Sequence, residues 1–496
     1  MNYINMKIFI SIFLIIPLFA SLSSLSVIFS FYDEYAGFFS SFLSLTGAFF
    51  ILYYVLNFKT IFLFNNFIAI DKFSAYLILL VSIVYFLSSM YGISYMRLAI
   101  KNEKMTDKEF FRYYLFVNIF ALTMLIAPMI NNMAIYLIDI ELTTIASSFL
   151  VISEVTEKSI EAAWKYILVV SSGISIALLG TILFYLSGNI PENLHAVSSL
   201  DWTTMRLNAG YLNKDIVRFA FVLIVIGLGT KVGLAPMHTW VPDAYSEAPS
   251  PVSAMLSASL ENVALYGIIR YFSITGANIG FGYPKTILII TGIFSIFIGV
   301  MGIIYQRSTK RLFAYSSIEH MGIISIGFGL GGVFGTFGAL LQMLGHTLAK
   351  SAMFFGAGNF LHKFKTKNIK KIKGAYYVMP RTAFLFSFGS IALMGVPPSI
   401  IFISEFSIIL QSLKNGYYWI TIFLVGFLIA AFIALLSKTG SMIFGKKEDN
   451  LIEDKGDFSA LSYTPMLLPV VASLIMGFYI PTPFYNLLIG IVHIIK

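Results

Sequence analysis

Apolar runs about 20 residues long, enough for a helix to cross a bilayer, recur from one end of this chain to the other. A soluble protein of 496 residues needs far more polar surface than 58% hydrophobic and 11% charged residues supply. The runs read as about fourteen spans. Their expected limits are Ile8–Ser30, Phe38–Phe58, Phe67–Met96, Phe110–Ile130, Met133–Ile152, Ala162–Ser187, Ile216–Ala235, Pro251–Tyr271, Thr286–Tyr305, Ile318–Gly332, Phe334–Phe360, Thr382–Ser412, Trp419–Phe444 and Leu461–Ile489. The expectation is an all-α integral membrane protein. The first run has a signal peptide as its alternative reading, and a first transmembrane helix is simpler. The connection after Ser187 holds Pro191, Asp201 and Arg218, and its polar residues predict an ordered excursion outside the membrane.

The net charge of +9 is topology information, because the basic residues lie in short loops. One loop holds Arg97, Lys101, Lys104, Lys108 and Arg112, and another Arg307, Lys310 and Arg311. A third holds Lys363, Lys365, Lys367, Lys370, Lys371 and Lys373 without an acid. The fourth has Lys446 and Lys447, diluted by Glu448, Asp449, Glu453 and Asp454. All four follow odd-numbered spans and so fall on one side, which the positive-inside rule makes cytoplasmic. Both termini are then expected outside. No cysteine is present, which excludes disulfides, cysteine-ligated iron–sulfur clusters and thiolate metal sites. No metal or cofactor site is expected in this chain, and redox chemistry falls to a partner.

Against this apolar background six ionisable residues stand out: Lys165, Lys231, Lys350, Glu141, Glu261 and Glu405. A charge at the bilayer centre costs about 2.5–3.5 kcal/mol on insertion scales, so six along one chain point to a polar path for ions or protons. Two spans look interrupted. The seventh runs into Gly233 and Pro236 beside Lys231, and the twelfth holds Gly395-Val396-Pro397-Pro398 before Glu405. Proline removes a backbone donor, and broken backbone at membrane depth is tolerated only inside protein or beside a water cavity. The breaks lie five spans apart. An odd number of spans reverses orientation, as two inverted five-helix repeats require. The expected divisions are helices one to three in 1–109, the repeats in 110–275 and 276–445, and a loop and last helix in 446–496.

The segment KVGLAPMHTWVPDAYSEAPSPVSAM, Lys231 to Met255, is the densest in signal, with four prolines, His238, Asp243 and Glu247. It reads either as a re-entrant loop with a snorkelling lysine or as a lysine held at a helix break, switched by a nearby carboxylate. His346 lies four residues before Lys350, on the same helix face, and is either a proton relay or a hydrogen-bonded packing residue. His320, after Glu319, carries the same two readings. Lys165 is a path residue or a snorkelling one. Asp139, two residues before Glu141, points away from it and is read as structural.

The Lys231 segment closely resembles the signature of the antiporter-like subunits of respiratory complex I, Mrp-type cation/proton antiporters and group 4 membrane-bound hydrogenases. ELTTIASSFLV from Glu141, EAAWKYILVVSSGISIALLGT from Glu161, KRLFAYSSIEHMGIISIG from Lys310, GALLQMLGHTLAKSAMFFGAGNFLH from Gly338 and GVPPSIIFISEF from Gly395 agree with it. The wording looks most like the hydrogenase-4 component F branch. The resemblance implies that Glu141 pairs with Lys231, that Lys350 is a central relay and that Glu405 ends the path. It also favours a place for Lys165 near the Glu141–Lys231 pair. One departure stands out. The span-eight lysine usual in the family reads Asn262 here, with Glu261 beside it.

The function so implied is a proton-translocating membrane subunit of a group 4 hydrogenase or complex-I-like assembly in a prokaryotic plasma membrane. Nickel–iron and iron–sulfur centres would lie in partner subunits. The rivals are an Mrp-type Na+/H+ antiporter subunit and a non-conducting scaffold of a hydrogenase.

Overall fold

A computed structural model describes residues 3–23, 33–58, 60–188, 199–446 and 455–495. It begins with α1 (Tyr3–Ser23) and α2 (Asp33–Asn57), followed by an antiparallel hairpin of β1 (Ile61–Leu63) and β2 (Ile68–Ile70). Next come α3 (Lys72–Lys101), α4 (Asp107–Ile126), α5 (Met133–Val151), α6 (Glu157–Gly188), α7 (Trp202–Leu207), α8 (Lys214–Val232), α9 (Val241–Glu247), α10 (Ser250–Met255) and α11 (Glu261–Ile279). The chain continues with α12 (Gly282–Tyr305), α13 (Thr309–Leu330), α14 (Gly332–Phe364), α15 (Ala375–Val378), α16 (Pro380–Leu393), α17 (Ile400–Lys414), α18 (Tyr418–Phe444), α19 (Ala460–Phe478) and α20 (Thr482–Ile495).

Among the described residues, ten helical stretches are long and apolar enough to cross a membrane. Helices at the expected seventh, tenth, eleventh and twelfth spans fall outside that set. Helix α8 carries Lys214, Asp215, Arg218 and Lys231, α13 and α14 are rich in glycine and small polar residues, and α16 and α17 are short. Among the ten stretches the least apolar, Ser250–Ile279, is also the most enclosed. The stretch Ser250–Ile279 is buried throughout its apolar window and α3 over 83%, whereas α18 is only 17% buried. This inverts a soluble fold: ionisable groups are held at the centre and apolar side chains face outward. Helices α6 and α8 approach backbone to backbone, since a Cβ on Gly227 would lie 2.5 Å from the Ala177 nitrogen. Small residues at such crossings are what membrane helix packing selects.

Several boundaries differ from expectation. Helix α3 starts at Lys72 and not at Phe67, because Phe64, Asn65 and Asn66 turn the chain at positive φ into the hairpin. Asp71 then caps α3, accepting from the Phe73 and Ser74 amides at 3.0 and 2.9 Å. The tenth span begins earlier, at Thr309. Arg218 belongs to α8 rather than to the preceding connection, Asp201 stands directly before α7, and Pro191 lies outside the described residues. The last expected span is two helices, since Pro481 halts regular pairing between α19 and α20. Ser24 to Ser30 and the charged run Lys447 to Asp454 also lie outside the described residues.

Both interruptions are present in the backbone. Helix α8 stops at Gly233, whose φ of +81° is the left-handed conformation of a glycine helix stop, and regular helix resumes at Val241. Helix α16 ends before Gly395, at φ +66°, and α17 resumes at Ile400, capped by the Ser399 hydroxyl on the Phe402 amide. Pro236 and Pro398 each follow a cis peptide bond. A third irregularity was not expected from the sequence: residues Leu256–Leu260 form a π-helical turn directly before Glu261.

Candidate functional site

The ionisable residues gather in two clusters. In the first, Lys231 is fully buried in the last turn of α8, where the carbonyls freed by the break favour a cation. Its Nζ donates to Thr144 Oγ1 and to the Tyr166 hydroxyl, each at 2.7 Å. Glu141 accepts from Ser171 Oγ at 2.5 Å, and Thr144 Oγ1 lies 3.5 Å from its other oxygen. The implied Glu141–Lys231 pair is therefore bridged by a hydroxyl. Glu141 and Thr144 stand three residues apart on α5, so one face presents both. Glu141 is only partly buried, beside the exposed Ile138, Leu142 and Ile145, and so lies at the rim of the molecule.

The second cluster occupies the centre, where α10–α11, α13, α14 and α17 meet. Glu261 and His346 are both fully buried, with Glu261 Oε2 and His346 Nε2 3.4 Å apart. The other Glu261 oxygen accepts from the Tyr245 hydroxyl at 2.6 Å. His346 Nε2 lies 3.2 Å from the Ser257 carbonyl, and Ser257 Oγ is 2.7 Å from Ser317 Oγ. The rings of His320 and His346 are 5.4 Å apart, and His320 Nδ1 is 2.7 Å from Gln342 Nε2. Gln342 accepts in turn from the Ser404 hydroxyl, next to Glu405. Lys350 is completely buried and donates to the Phe313 carbonyl at 3.0 Å. The carboxylates that act on it are Glu319 and Glu261. Asn262, at the position of the family lysine, donates to Thr347 Oγ1 and the Ala258 carbonyl, both at 3.0 Å. It faces the cluster as a neutral group.

The two clusters are joined by aromatic rings. Tyr166 bonds Lys231 and packs 4.5 Å from Trp240, whose ring is 5.8 Å from that of Tyr245, the partner of Glu261. Trp240 precedes α9 and Tyr245 lies on it, so the piece beyond the first break touches both sites. Its opposite side is clamped by charge. Asp243 binds Lys165 at 2.5 Å and Arg311 at 2.6 Å, and Glu247 binds Lys367 at 2.8 Å.

One expected placement changes, that of Lys165, and two further candidates, His238 and Glu405, take the following places. Lys165 is not beside the Glu141–Lys231 pair, since α6 carries it to a solvent-facing cleft on Asp243. His238 joins neither cluster. It sits in the segment between α8 and α9 with Nδ1 shielded and without a partner. Glu405 stands seven residues past the Pro397-Pro398 break, about 10 Å along an ideal helix, yet its carboxylate folds back onto the α-carbon of Gly395, closing most of that distance. Asp139, read as structural, is buried with Oδ2 unpartnered. Sequence reasoning missed Glu319, a buried acid whose charge acts on Lys350 and which lies in an apolar run, the same signal that marked Glu141. Tyr245 and Gln342 gave no such signal.

Residues 130–434 match the model of the NADH:quinone oxidoreductase/Mrp antiporter transmembrane family. A hydrogenase-4 component F homolog of Methylacidiphilum infernorum is 35% identical over 419 residues, covering 84% of this chain and 86% of the relative. Among solved structures, a chain of an archaeal membrane-bound sulfane sulfur reductase superposes with a TM-score of 0.87 at 22% identity, over 98% of this chain and 97% of that one. A chain of the Mrp complex from Dietzia sp. DQ12-45-1b gives 0.81 at 16% identity, over 97% and 96%.

Proposed function

Because the chain belongs to the NADH:quinone oxidoreductase/Mrp antiporter transmembrane family and is an antiporter-like membrane subunit, we propose that it moves protons through its two buried clusters. The observation that carries this reading is the central run Tyr245, Glu261, His346 and His320, with Lys350 among acids, in the most enclosed part of the molecule. Such groups are costly in lipid unless they pair or line an ion path. Glu141 and Lys231 form the first switch. Charge change there acts on Lys350 through α9 and Glu261, and Glu405 at the second break controls release. Glu261 takes the relay place that Asn262 leaves vacant.

On this reading the fold has about fourteen spans, with inverted five-helix repeats in 110–275 and 276–445 between helices one to three (1–109) and the last loop and helix (446–496). The basic loops face the cytoplasm of a prokaryotic cell, and both termini lie outside. The partly exposed Glu141 rim on α5 meets a neighbouring subunit. Electron transfer belongs to partner subunits, which hold any nickel–iron or iron–sulfur centre. The hydrogenase-4 component F relative supports a hydrogenase or complex-I-like assembly over an Mrp-type one.

The test compares proton uptake by vesicles holding wild-type and Lys231→Ala assemblies at equal complex levels. Uptake is expected to fall at least about tenfold, or about 1.4 kcal/mol in barrier, with insertion unchanged. Undiminished uptake would sink the assignment. Sodium-dependent uptake with no effect of protonophores would move the ion from H+ to Na+.

A further inference from the structure

On the face that carries the basic loops lies an open cleft of about 820 Å³. It is bounded by the start of α6, by α9, by the α12–α13 connection and by residues 366–368. Five cations line it, Lys158, Lys165, Arg307, Arg311 and Lys367, against Glu161, Asp243 and Glu247. Lys165 and Arg311 are spent on Asp243, and Lys367 on Glu247. Arg307 and Lys158 have no side-chain partner among the described residues. The Ser308 hydroxyl at the same wall is shielded and also without one. The cleft is thus rich in donors and short of acceptors.

Its surroundings identify the level at which it opens. Ile160, Trp164 and Leu168, four residues apart on α6, are exposed next to Glu161 and Lys165. Ile304 and Tyr305 are exposed at the end of α12 beside Arg307. Apolar side chains with Trp and Tyr at their ends mark the border between hydrocarbon and headgroups. A molecule filling this cleft therefore has both an anionic group for the donors and an apolar part for the flanking stripe.

We propose that the cleft binds the phosphate of an anionic membrane phospholipid, with Arg307, Lys158 and Ser308 as its donors and the Ile160–Trp164–Leu168 stripe against its acyl chains. Basic pockets between helices on a cytoplasmic face are the usual receivers of such headgroups. The site is independent of the translocation reading, and neither Arg307 nor Lys158 belongs to the buried clusters.

The lack of cysteine allows a direct test. Thr366→Cys places a single thiol of this chain in the cleft wall. Its reaction with a neutral maleimide is followed in the assembled complex in alkyl-maltoside micelles, with phosphatidylglycerol, phosphatidylcholine or inorganic phosphate added. Phosphatidylglycerol is expected to slow labelling about tenfold near ten times its dissociation constant, as the free fraction falls with occupancy. Adding Arg307→Gln and Lys158→Gln is expected to abolish that protection while labelling without lipid stays the same. Equal rates in all additions would overturn the site. Equal protection by phosphatidylcholine would overturn the anionic preference, and protection by inorganic phosphate alone would replace the lipid with a soluble anion.

Discussion

At the scale of single residues, the proposed path requires some buried polar groups to exchange a proton, while others need only accept a hydrogen bond. Glu261 shows how to separate them. Glu261→Gln keeps an acceptor for the Tyr245 hydroxyl and nearly the same volume but cannot titrate. It is expected to leave assembly intact on a native gel and to lower proton uptake about tenfold or more, about 1.4 kcal/mol in barrier. Normal uptake with normal assembly would remove Glu261 from the path. At the second break, the Glu405 carboxylate rests against Gly395. Glu405→Gln is expected to stop release while Glu405→Asp keeps part of it. Gly395→Ala puts a methyl where the carboxylate rests and costs about 1–2 kcal/mol for a left-handed non-glycine backbone. Its uptake should fall to the level of Glu405→Gln. A Gly395→Ala protein with wild-type uptake would show that the fold-back contact is incidental.

At the scale of elements, two irregular pieces set the site: the π turn and α9. A π turn is one extra residue in a helix, and such turns are frequent at functional sites. Without it, Glu261 would be rotated about 100° relative to the residues before it. Deleting Ser259, whose buried hydroxyl has no partner, is expected to turn Glu261 off Tyr245 and His346. The deleted chain should insert but match the uptake of Glu261→Ala, and full uptake would refute a role for the turn. Helix α9 is held on its outer side by Glu247. Burial pushes that carboxyl up, but Lys367 at 2.8 Å outweighs it and keeps it below the usual glutamate range. A depressed pKa stabilises fully above the ordinary glutamate pKa and loses that contribution as pH falls through the depressed one. Acid should therefore free the 363–374 loop, read as faster proteolysis there. Glu247→Gln should abolish that pH dependence, and an unchanged profile would assign it elsewhere.

At the scale of the whole molecule, the absence of cysteine makes orientation directly measurable. Lys104→Cys and Lys371→Cys are expected to react with an impermeant thiol reagent from one side of the membrane, and Asn65→Cys, in the β1–β2 turn, from the other. Labelling of Lys104→Cys and Lys371→Cys from opposite sides would break the span count. Much of this was legible in the amino-acid order. Apolar run length announces a membrane helix, because lipid leaves the backbone no other partner than itself. Glycine and proline at 233–236 and 395–398 announce the breaks, and charges within apolar runs announce Lys231, Lys350 and Glu261, since each carries its energetic cost wherever it lies. Tertiary structure alone decided what those groups touch. Thr144 between Glu141 and Lys231, Lys165 on Asp243, the π turn before Glu261, Glu319 near Lys350 and the Tyr166–Trp240–Tyr245 rings joining two sites all depend on which helices meet and at what rotation. Those are set by side-chain packing between segments far apart in the chain, which a one-dimensional pattern of polarity does not encode.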